Sequence, residues 1–247
     1  MIIDTHCHIY NSEMENAEEI IKEASENGIQ MILNGTDPSS NKEVLKLSSK
    51  YENAYAAVGY LYSFADEVTD ENLALLDSQL KNNNVIAVGE IGLDYYNTNR
   101  KNQIELFENM LILARKHDLP VIVHSRKAMQ DTYDILKKHN VTGSLHCYQG
   151  SAEMAAEFIK LGFYIGIGGP VTHNKNKKVK KMIKKVGIDY LLVETDSPYL
   201  TPEEKRGEKN TPLNLKYVIQ KIAEELNLTE DEVTEITCQN AKKLFKI

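Results

Sequence analysis

Short apolar runs alternate with amphipathic stretches along the whole chain. Runs such as Val85-Ile86-Ala87-Val88 are nearly continuous, as in parallel strands buried on both faces. Eight strands are predicted, at 2–6, 29–34, 54–59, 85–90, 120–124, 143–146, 163–167 and 191–195. Apolar positions at helical spacing predict helices between them, at 15–27, 39–51, 71–83, 101–117, 127–139, 151–161 and 174–186. Two further helices, near 213–226 and 230–241, close the chain. Strands alternating with helices indicate parallel βαβ units. The punctuation agrees. Asn27-Gly28 and Leu161-Gly162 end helices just before strands two and seven, and Pro120 opens strand five. Ser151 and Thr229 stand as helix N-caps, and Glu232 follows Thr229 at capping-box spacing.

The chain has 247 residues, close to the usual length of a barrel of eight βα units. No linker, repeat or low-complexity segment divides it, so residues 1–247 are read as one domain. The expected fold is α/β, a single (β/α)8 TIM barrel with a C-terminal extra helix. An open doubly wound sheet would want a glycine-rich phosphate loop after its first strand. His6-Cys7-His8 stands there instead.

Composition narrows the function classes. Hydrophobic residues make up 42% and charged residues 26%, which is an ordinary globular balance. A net charge of −7 argues against a broad basic surface that wraps duplex DNA. The three cysteines, Cys7, Cys147 and Cys238, are far apart, so neither a disulfide framework nor a zinc ribbon is expected. The first residues lack a basic then apolar leader pattern, and no apolar stretch approaches the roughly 20 residues of a membrane span. A reducing cytoplasm fits best.

Residues of the metal-ligand type recur where the strands end. They are His6 and His8, Glu90, His124, His146 and Asp196. A parallel barrel delivers the C-terminal ends of its strands to one shared face. On a strand, residues two apart share a side, so His6 and His8 converge while Cys7 points away. As a pair they are equally well explained as structural histidines; the four further candidates at equivalent strand ends tip the balance toward metal. Six ligands exceed the three plus water of a single catalytic zinc. They suit two divalent cations, with Glu90 placed to bridge ions about 3.5–4 Å apart. Imidazole and carboxylate without thiolate accept Zn²⁺, Mn²⁺ or Mg²⁺. Two such ions, two carboxylates and a hydroxide leave roughly one positive charge, which favours an anionic guest such as a phosphodiester. Asp196 is the candidate for orienting the attacking water and taking its proton, as ligand and base together.

These segments resemble the TatD family of metal-dependent deoxyribonucleases, within the amidohydrolase-like barrels. The resemblance rests on Asp4-Thr5-His6-Cys7-His8, on Gly89-Glu90-Ile91-Gly92-Leu93-Asp94-Tyr95-Tyr96 and on Val123-His124-Ser125-Arg126. It continues in His146-Cys147 with Gly150, and in Glu194-Thr195-Asp196-Ser197-Pro198-Tyr199-Leu200 ending at Pro202. It implies that His6, His8, Glu90, His124, His146 and Asp196 are the metal ligands, with Asp196 and Glu90 central to catalysis. It also implies DNA hydrolysis supported by Mg²⁺, Mn²⁺ or Zn²⁺. The chain departs from the family pattern in two places. Leu61, in Gly59-Tyr60-Leu61-Tyr62, stands where the family usually has a histidine, and Tyr148-Gln149 precede Gly150 where Phe-Ser is common.

Other features are expected to touch substrate or to be structural. Arg126, read as part of the loop after strand five, is a candidate for holding phosphate bidentately. Tyr60, Tyr62, Tyr95, Tyr96 and Tyr148 follow strands and either stack on exposed bases or pack the barrel mouth. The stretch 174–185 carries seven lysines and reads more simply as a solvated helix face than as a nucleic-acid contact. The loop Lys205-Arg206-Gly207-Glu208-Lys209-Asn210 is a comparable candidate. His117 and His139 fall at helix C-termini, and His173 in a loop. The expected function is hydrolysis of DNA phosphodiesters, at single-stranded regions or ends, by a metal-activated water. The alternative is a metal-dependent amide or ester hydrolase, of the amidohydrolase or aminoacyl-tRNA deacylase type. A metal-loaded scaffold without activity is a third reading. No membrane and no obligate protein partner is inferred.

Overall fold

The apolar runs become eight parallel strands, each followed by a helix that covers its outer face. The computed structural model describes residues 1–96 and 99–247. Along the chain come β1 (Ile2–Cys7), α1 (Ala17–Glu26), β2 (Ile29–Asn34), α2 (Pro38–Lys50), β3 (Ala54–Val58), α3 (Asp70–Gln79), β4 (Val85–Asp94) and α4 (Arg100–His117). There follow β5 (Val121–Arg126), α5 (Met129–His139), β6 (Gly143–Leu145), α6 (Ala152–Lys160), β7 (Phe163–Ile167), α7 (Lys177–Val186), β8 (Leu191–Val193), α8 (Leu215–Leu226) and α9 (Glu230–Phe245). The strands pair in chain order from β1 to β8, all parallel. The result is the expected (β/α)8 barrel with a C-terminal extra helix, α9.

The seam between β1 and β8 is closed by side chains and loop backbone. Thr5 Oγ1 donates to the Val193 carbonyl at 3.1 Å. The Asp4 carboxylate accepts the Thr195 N–H at 3.0 Å and its hydroxyl at 2.6 Å. The Asp196 N–H donates to the His6 carbonyl at 2.9 Å, and the His8 N–H to that of Ser197 at 2.6 Å. Each closing contact uses a candidate ligand or a residue beside one, so closing the barrel also sets the site.

Two apolar clusters result. The larger lies between strands and helices and includes Met31, Leu33, Leu106, Phe107, Phe158 and Phe163. The smaller fills the barrel with Ile3, Ile32, Ala57, Ile86, Ala87, Ile122, Tyr164 and Leu192. Cys238, Ala241, Leu244 and Phe245 of α9 join this inner cluster from the N-terminal end of the strands. The extra helix is thus a plug under the barrel floor, and the opposite mouth is left for chemistry.

Strands β4 and β5 run further than their apolar runs predict. They stay paired through Gly92↔His124 to Asp94↔Arg126. Arg126 therefore ends β5 and does not lie in the loop beyond it. Strands β6 and β8 are shorter, leaving His146 and Asp196 just past their ends. Their backbones turn sharply there: Cys147 and Asp196 have φ of 42° and 57°, in the left-handed region that few non-glycine residues adopt. The register of β1 slips between Asp4 and Cys7, and that of β4 slips between Val88 and Ile91. Such bulges re-aim side chains at strand ends. They explain how Ile3 and His6, three residues apart, can both face the barrel axis although strict alternation would put them on opposite faces.

Candidate metal centre

The six predicted ligands meet at the C-terminal mouth of the barrel. His6 and His8 come from β1 and its end, Glu90 from β4, His124 from β5, and His146 and Asp196 from the turns after β6 and β8. Glu90 stands at the middle. Its Oε2 lies 3.2 Å from His8 Nε2 and 3.6 Å from His6 Nε2. Its Oε1 lies 2.9 Å from His146 Nε2 and 3.2 Å from His124 Nδ1. Asp196 Oδ1 caps the first pair, 3.3 Å from His6 Nε2 and 3.4 Å from His8 Nε2. Three overlapping groups have donor atoms within 4.8 Å of one another: His6, His8 and Glu90; Glu90, His124 and His146; and His6, His146 and Asp196.

The donors fit divalent cations. All are imidazole nitrogen or carboxylate oxygen, the set that zinc and manganese accept. Ring nitrogens face one another at 3.1 Å for His6 and His8 and at 3.0 Å for His124 and His146, so their lone pairs aim at shared points. The His8 ring is oriented from behind, because its Nδ1 lies 2.9 Å from the Asn34 carbonyl. A carbonyl only accepts, so Nδ1 carries a hydrogen and Nε2 is the atom turned to the centre. Cys7 is buried and donates to the Ile32 carbonyl, away from the cluster. Cys147 directs its backbone N–H to the Glu194 carboxylate.

Charge distribution follows from burial and proximity. Burial disfavours charge on His8, but hydrogen bonds to Asp196 and Glu90 outweigh it and push the ring up to about 10. His146 likewise rises to about 9, against its burial, through the nearby Glu90 charge. Burial and the repulsion of His146 take His6 down to about 4. Glu90 and Asp196 are both held below the usual carboxylate range, because the imidazoles around them overcome their burial. Protons thus balance the two anions in the absence of cations. Burial also pushes Asp4 up to about 7 and Glu194 up to about 8.

A cavity of about 300 Å³ opens over Glu90, His8, His124, His146 and Asp196. Its walls are Tyr10, Glu13, Thr36, Leu61, Tyr62 and Tyr199. Leu61 therefore sits in the wall, as its place beside the site in the family pattern implies. The tyrosines divide into two groups. Tyr60 and Tyr148 are buried, their hydroxyls on the Asn72 and Ser151 carbonyls, which removes them from any role in base stacking. Tyr62 tilts over His124 with ring centres 5.2 Å apart, and Tyr199 stands edge-on to His8 at 6.1 Å. Tyr95 is half-buried and bonds Asp131. Arg126 is outside the cavity wall. Its guanidinium lies 4.2 Å over the exposed Tyr96 ring and 3.7 Å from Asp94. His117 and His139 end their helices as expected and face Asp77 and Glu108, while His173 bonds the Thr201 carbonyl.

Several supporting residues escape a reading by ligand type. Asp4 and Glu194 stand inside the same motifs as the ligands, and a carboxylate at the edge of an apolar run is the signal that marks them. Asp94 is another: its buried Oδ2 lies 3.7 Å from His124 Nε2, and neither atom has a hydrogen-bond partner among the described residues. Glycine makes room at one crowded point. A Cβ on Gly166 would stand 2.2 Å from Glu194 Oε2. Glu13, Thr36 and Tyr10 line the cavity from loops that carry no chemical pattern in the sequence.

A parallel barrel with a central carboxylate among four imidazoles at its C-terminal mouth is the setting of a metal-dependent hydrolase. The chain belongs to the TatD-related DNase family, whose model matches residues 3–246. It is 38% identical to the uncharacterized metal-dependent hydrolase YabD of Bacillus subtilis (strain 168), over the full length of both. The crystal structure of YjjV, a TatD homologue from Escherichia coli K12, superposes with a TM-score of 0.92 at 31% identity, covering 100% of this chain and 98% of the other. Among the described residues no helix is long and apolar enough to cross a membrane.

Proposed function

We propose that this hydrolase is a deoxyribonuclease that cleaves phosphodiesters at single-stranded regions or ends of DNA and works with two divalent cations. The observation that carries the reading is the placement of Glu90, with each carboxylate oxygen turned to a different pair of histidines. His6, His8 and Asp196 would hold one cation, and His124 and His146 the other, with Glu90 shared. When bound, such ions polarise a phosphoryl oxygen and acidify water. The chain's own groups do the remainder. Asp196 stays ionised because His6 and His8 face it, so it is available to accept a proton from attacking water. Tyr62 and Tyr199 flank the cavity and offer faces to an unstacked base. Arg126, held by Tyr96 and Asp94 outside the cavity, is placed to meet a phosphate further along a strand. A cytoplasmic setting is part of this reading, since Cys7, Cys147 and Cys238 are all free thiols.

One observation favours the alternative, an amide or ester hydrolase. Among the described residues the cavity wall contains no lysine or arginine, and Glu13 adds a carboxylate to it beside the apolar Leu61. A screen of Mg²⁺, Mn²⁺ and Zn²⁺ against single-stranded DNA, an aminoacyl ester and a simple amide separates the two. The expected result is DNA cleavage that Asp196→Asn abolishes. Cleavage of the ester or amide alone would replace the nuclease reading.

A further inference from the structure

Many surface cations of this protein stand beside a carboxylate. Lys184 lies 2.9 Å from Glu225 and Lys185 lies 2.6 Å from Glu153. In the loop after β8, Lys205 lies 3.1 Å from Glu208 and Arg206 lies 3.0 Å from Glu203. That loop is therefore locally neutral. The start of α7 differs. Among the described residues, Lys175, Lys177, Lys178, Lys180 and Lys181 have no carboxylate at ion-pair distance, and all but the half-buried Lys180 are exposed.

The arrangement works against the helix that carries it. Lys177 faces Lys180 and Lys181 at spacings of three and four, and Lys178 faces Lys181, so like charges adjoin on one surface. They also crowd the positive end of the helix dipole. Helices α1, α3, α5, α6 and α9 carry acids in that first turn, whereas α2, α4, α7 and α8 carry none, and of these α7 alone has lysines at both of its first two positions. Val179, Met182 and Ile183 are buried and anchor the helix, so packing alone would be served by neutral residues on the outer face. The charge is kept on a molecule whose net charge is −7.

The patch is tied to the mouth of the barrel. Asn176, at the head of α7, donates to Gln149 Oε1 at 3.0 Å and to the Pro170 carbonyl at 3.1 Å. Gln149 is three residues beyond His146. His173 meets the Thr201 carbonyl at 3.0 Å, in the loop that follows Asp196. The segment leading into α7 therefore bridges the two loops that carry His146 and Asp196.

We propose that Lys175 and the first two turns of α7 form a docking surface for the phosphate backbone of single-stranded DNA, holding the strand whose reacting end lies in the metal centre. This rests on the nuclease reading above. Backbone contacts of this kind are independent of sequence and weaken with salt, by about 0.7 in log–log slope for each phosphate neutralised on a single strand.

The test is the triple variant Lys177→Gln, Lys178→Gln, Lys181→Gln. All three positions are exposed and glutamine is as good a helix former as lysine, so the variant folds, with a melting temperature equal to or above that of wild type. Both proteins, loaded with Mn²⁺, are assayed on a dinucleotide and on a long single-stranded oligonucleotide across a salt series. Dinucleotide hydrolysis is expected to be unchanged. The preference in kcat/KM for the oligonucleotide is expected to fall roughly tenfold at low salt, and its salt slope to become shallower by about 2. Identical preference and slope in both proteins would overturn the docking surface and leave α7 a solvated helix face. A wild type that cleaves the dinucleotide with no gain on the longer strand would overturn it too, while the nuclease reading stands. A wild type that cleaves neither overturns the nuclease reading and the docking surface with it.

Discussion

Glu90 Oε1 lies 2.9 Å from His146 Nε2, a contact that spans β5 to join the middle of β4 to the turn after β6. The other oxygen of the same carboxylate serves the histidines of β1. A single anionic group thereby holds two halves of the cluster. Glu90→Gln keeps the size but replaces one oxygen with an amide that only donates, so it cannot join two cations. The expected outcome is a lower metal content per protein after dialysis, read by atomic emission. Hydrolysis is expected to fall in step with the metal content. A variant that retained the wild-type metal content would show that Glu90 does not link two sites.

Protons on the ligand imidazoles compete with cations, so metal binding depends on pH in a defined direction. His8 rises from 6.5 to about 10 and His146 from 6.5 to about 9, so both rings carry protons at neutral pH when no cation is present. A cation takes their lone pairs only by displacing those protons. Apparent affinity is therefore expected to climb with pH and to level off above about 10. Titration calorimetry in buffers of different ionisation enthalpy is expected to read proton release at neutral pH. The linked stability has the opposite sense. Folded values raised above 6.5 contribute stability to the metal-free protein that is complete below 6.5 and is lost as pH rises through about 9 and about 10. Chelated protein should lose thermal stability across that window, and loaded protein should not.

The parts of this site that were legible in the sequence are those with a chemical alphabet. His6, His8, Glu90, His124, His146 and Asp196 each end or follow an apolar run, and a parallel barrel puts such positions together whatever the loops do. The barrel itself followed from the alternation of runs. Strand ends were less legible. The continuation of β4 to Asp94 is carried by pairing with β5 past a bulge, which no periodicity reveals. Arg126 was misplaced for the same reason. The sequence leaves Tyr60 and Tyr148 open between base stacking and packing at the mouth, because a position after a strand says nothing of the direction a ring takes; both are buried. Glu13 and Thr36 reach the cavity only through the shape of two loops.

Asp94 offers a test of how the centre is held from behind. Its Oδ2 and His124 Nε2 face each other at 3.7 Å, both buried, while His124 Nδ1 points to Glu90. The carboxylate is placed to favour the ring tautomer that keeps Nδ1 free for a ligand role. Its Oδ1 also accepts the Tyr96 N–H at 2.9 Å, a bond that asparagine can keep. Asp94→Asn is therefore expected to fold normally and to lose about 10–100-fold in metal affinity, measured by titration calorimetry. An unchanged affinity would assign Asp94 to the local turn alone.

The plug formed by α9 separates stability from chemistry. Phe245 is 3% exposed and belongs to the cluster that fills the barrel, at the end opposite the metal centre. Replacing a buried phenylalanine with alanine costs about 3–5 kcal/mol, because the cavity left behind does not fully collapse. For a chain of 247 residues this lowers the melting temperature by on the order of 10 °C. The same truncation at Ile112, 54% exposed on α4, should leave it unchanged. Both variants are expected to keep wild-type metal content and wild-type turnover per folded molecule at a temperature well below the transition. Loss of turnover in Phe245→Ala without loss of folded protein would mean that the floor of the barrel and its mouth are coupled, and that the helix does more than seal the strands from below.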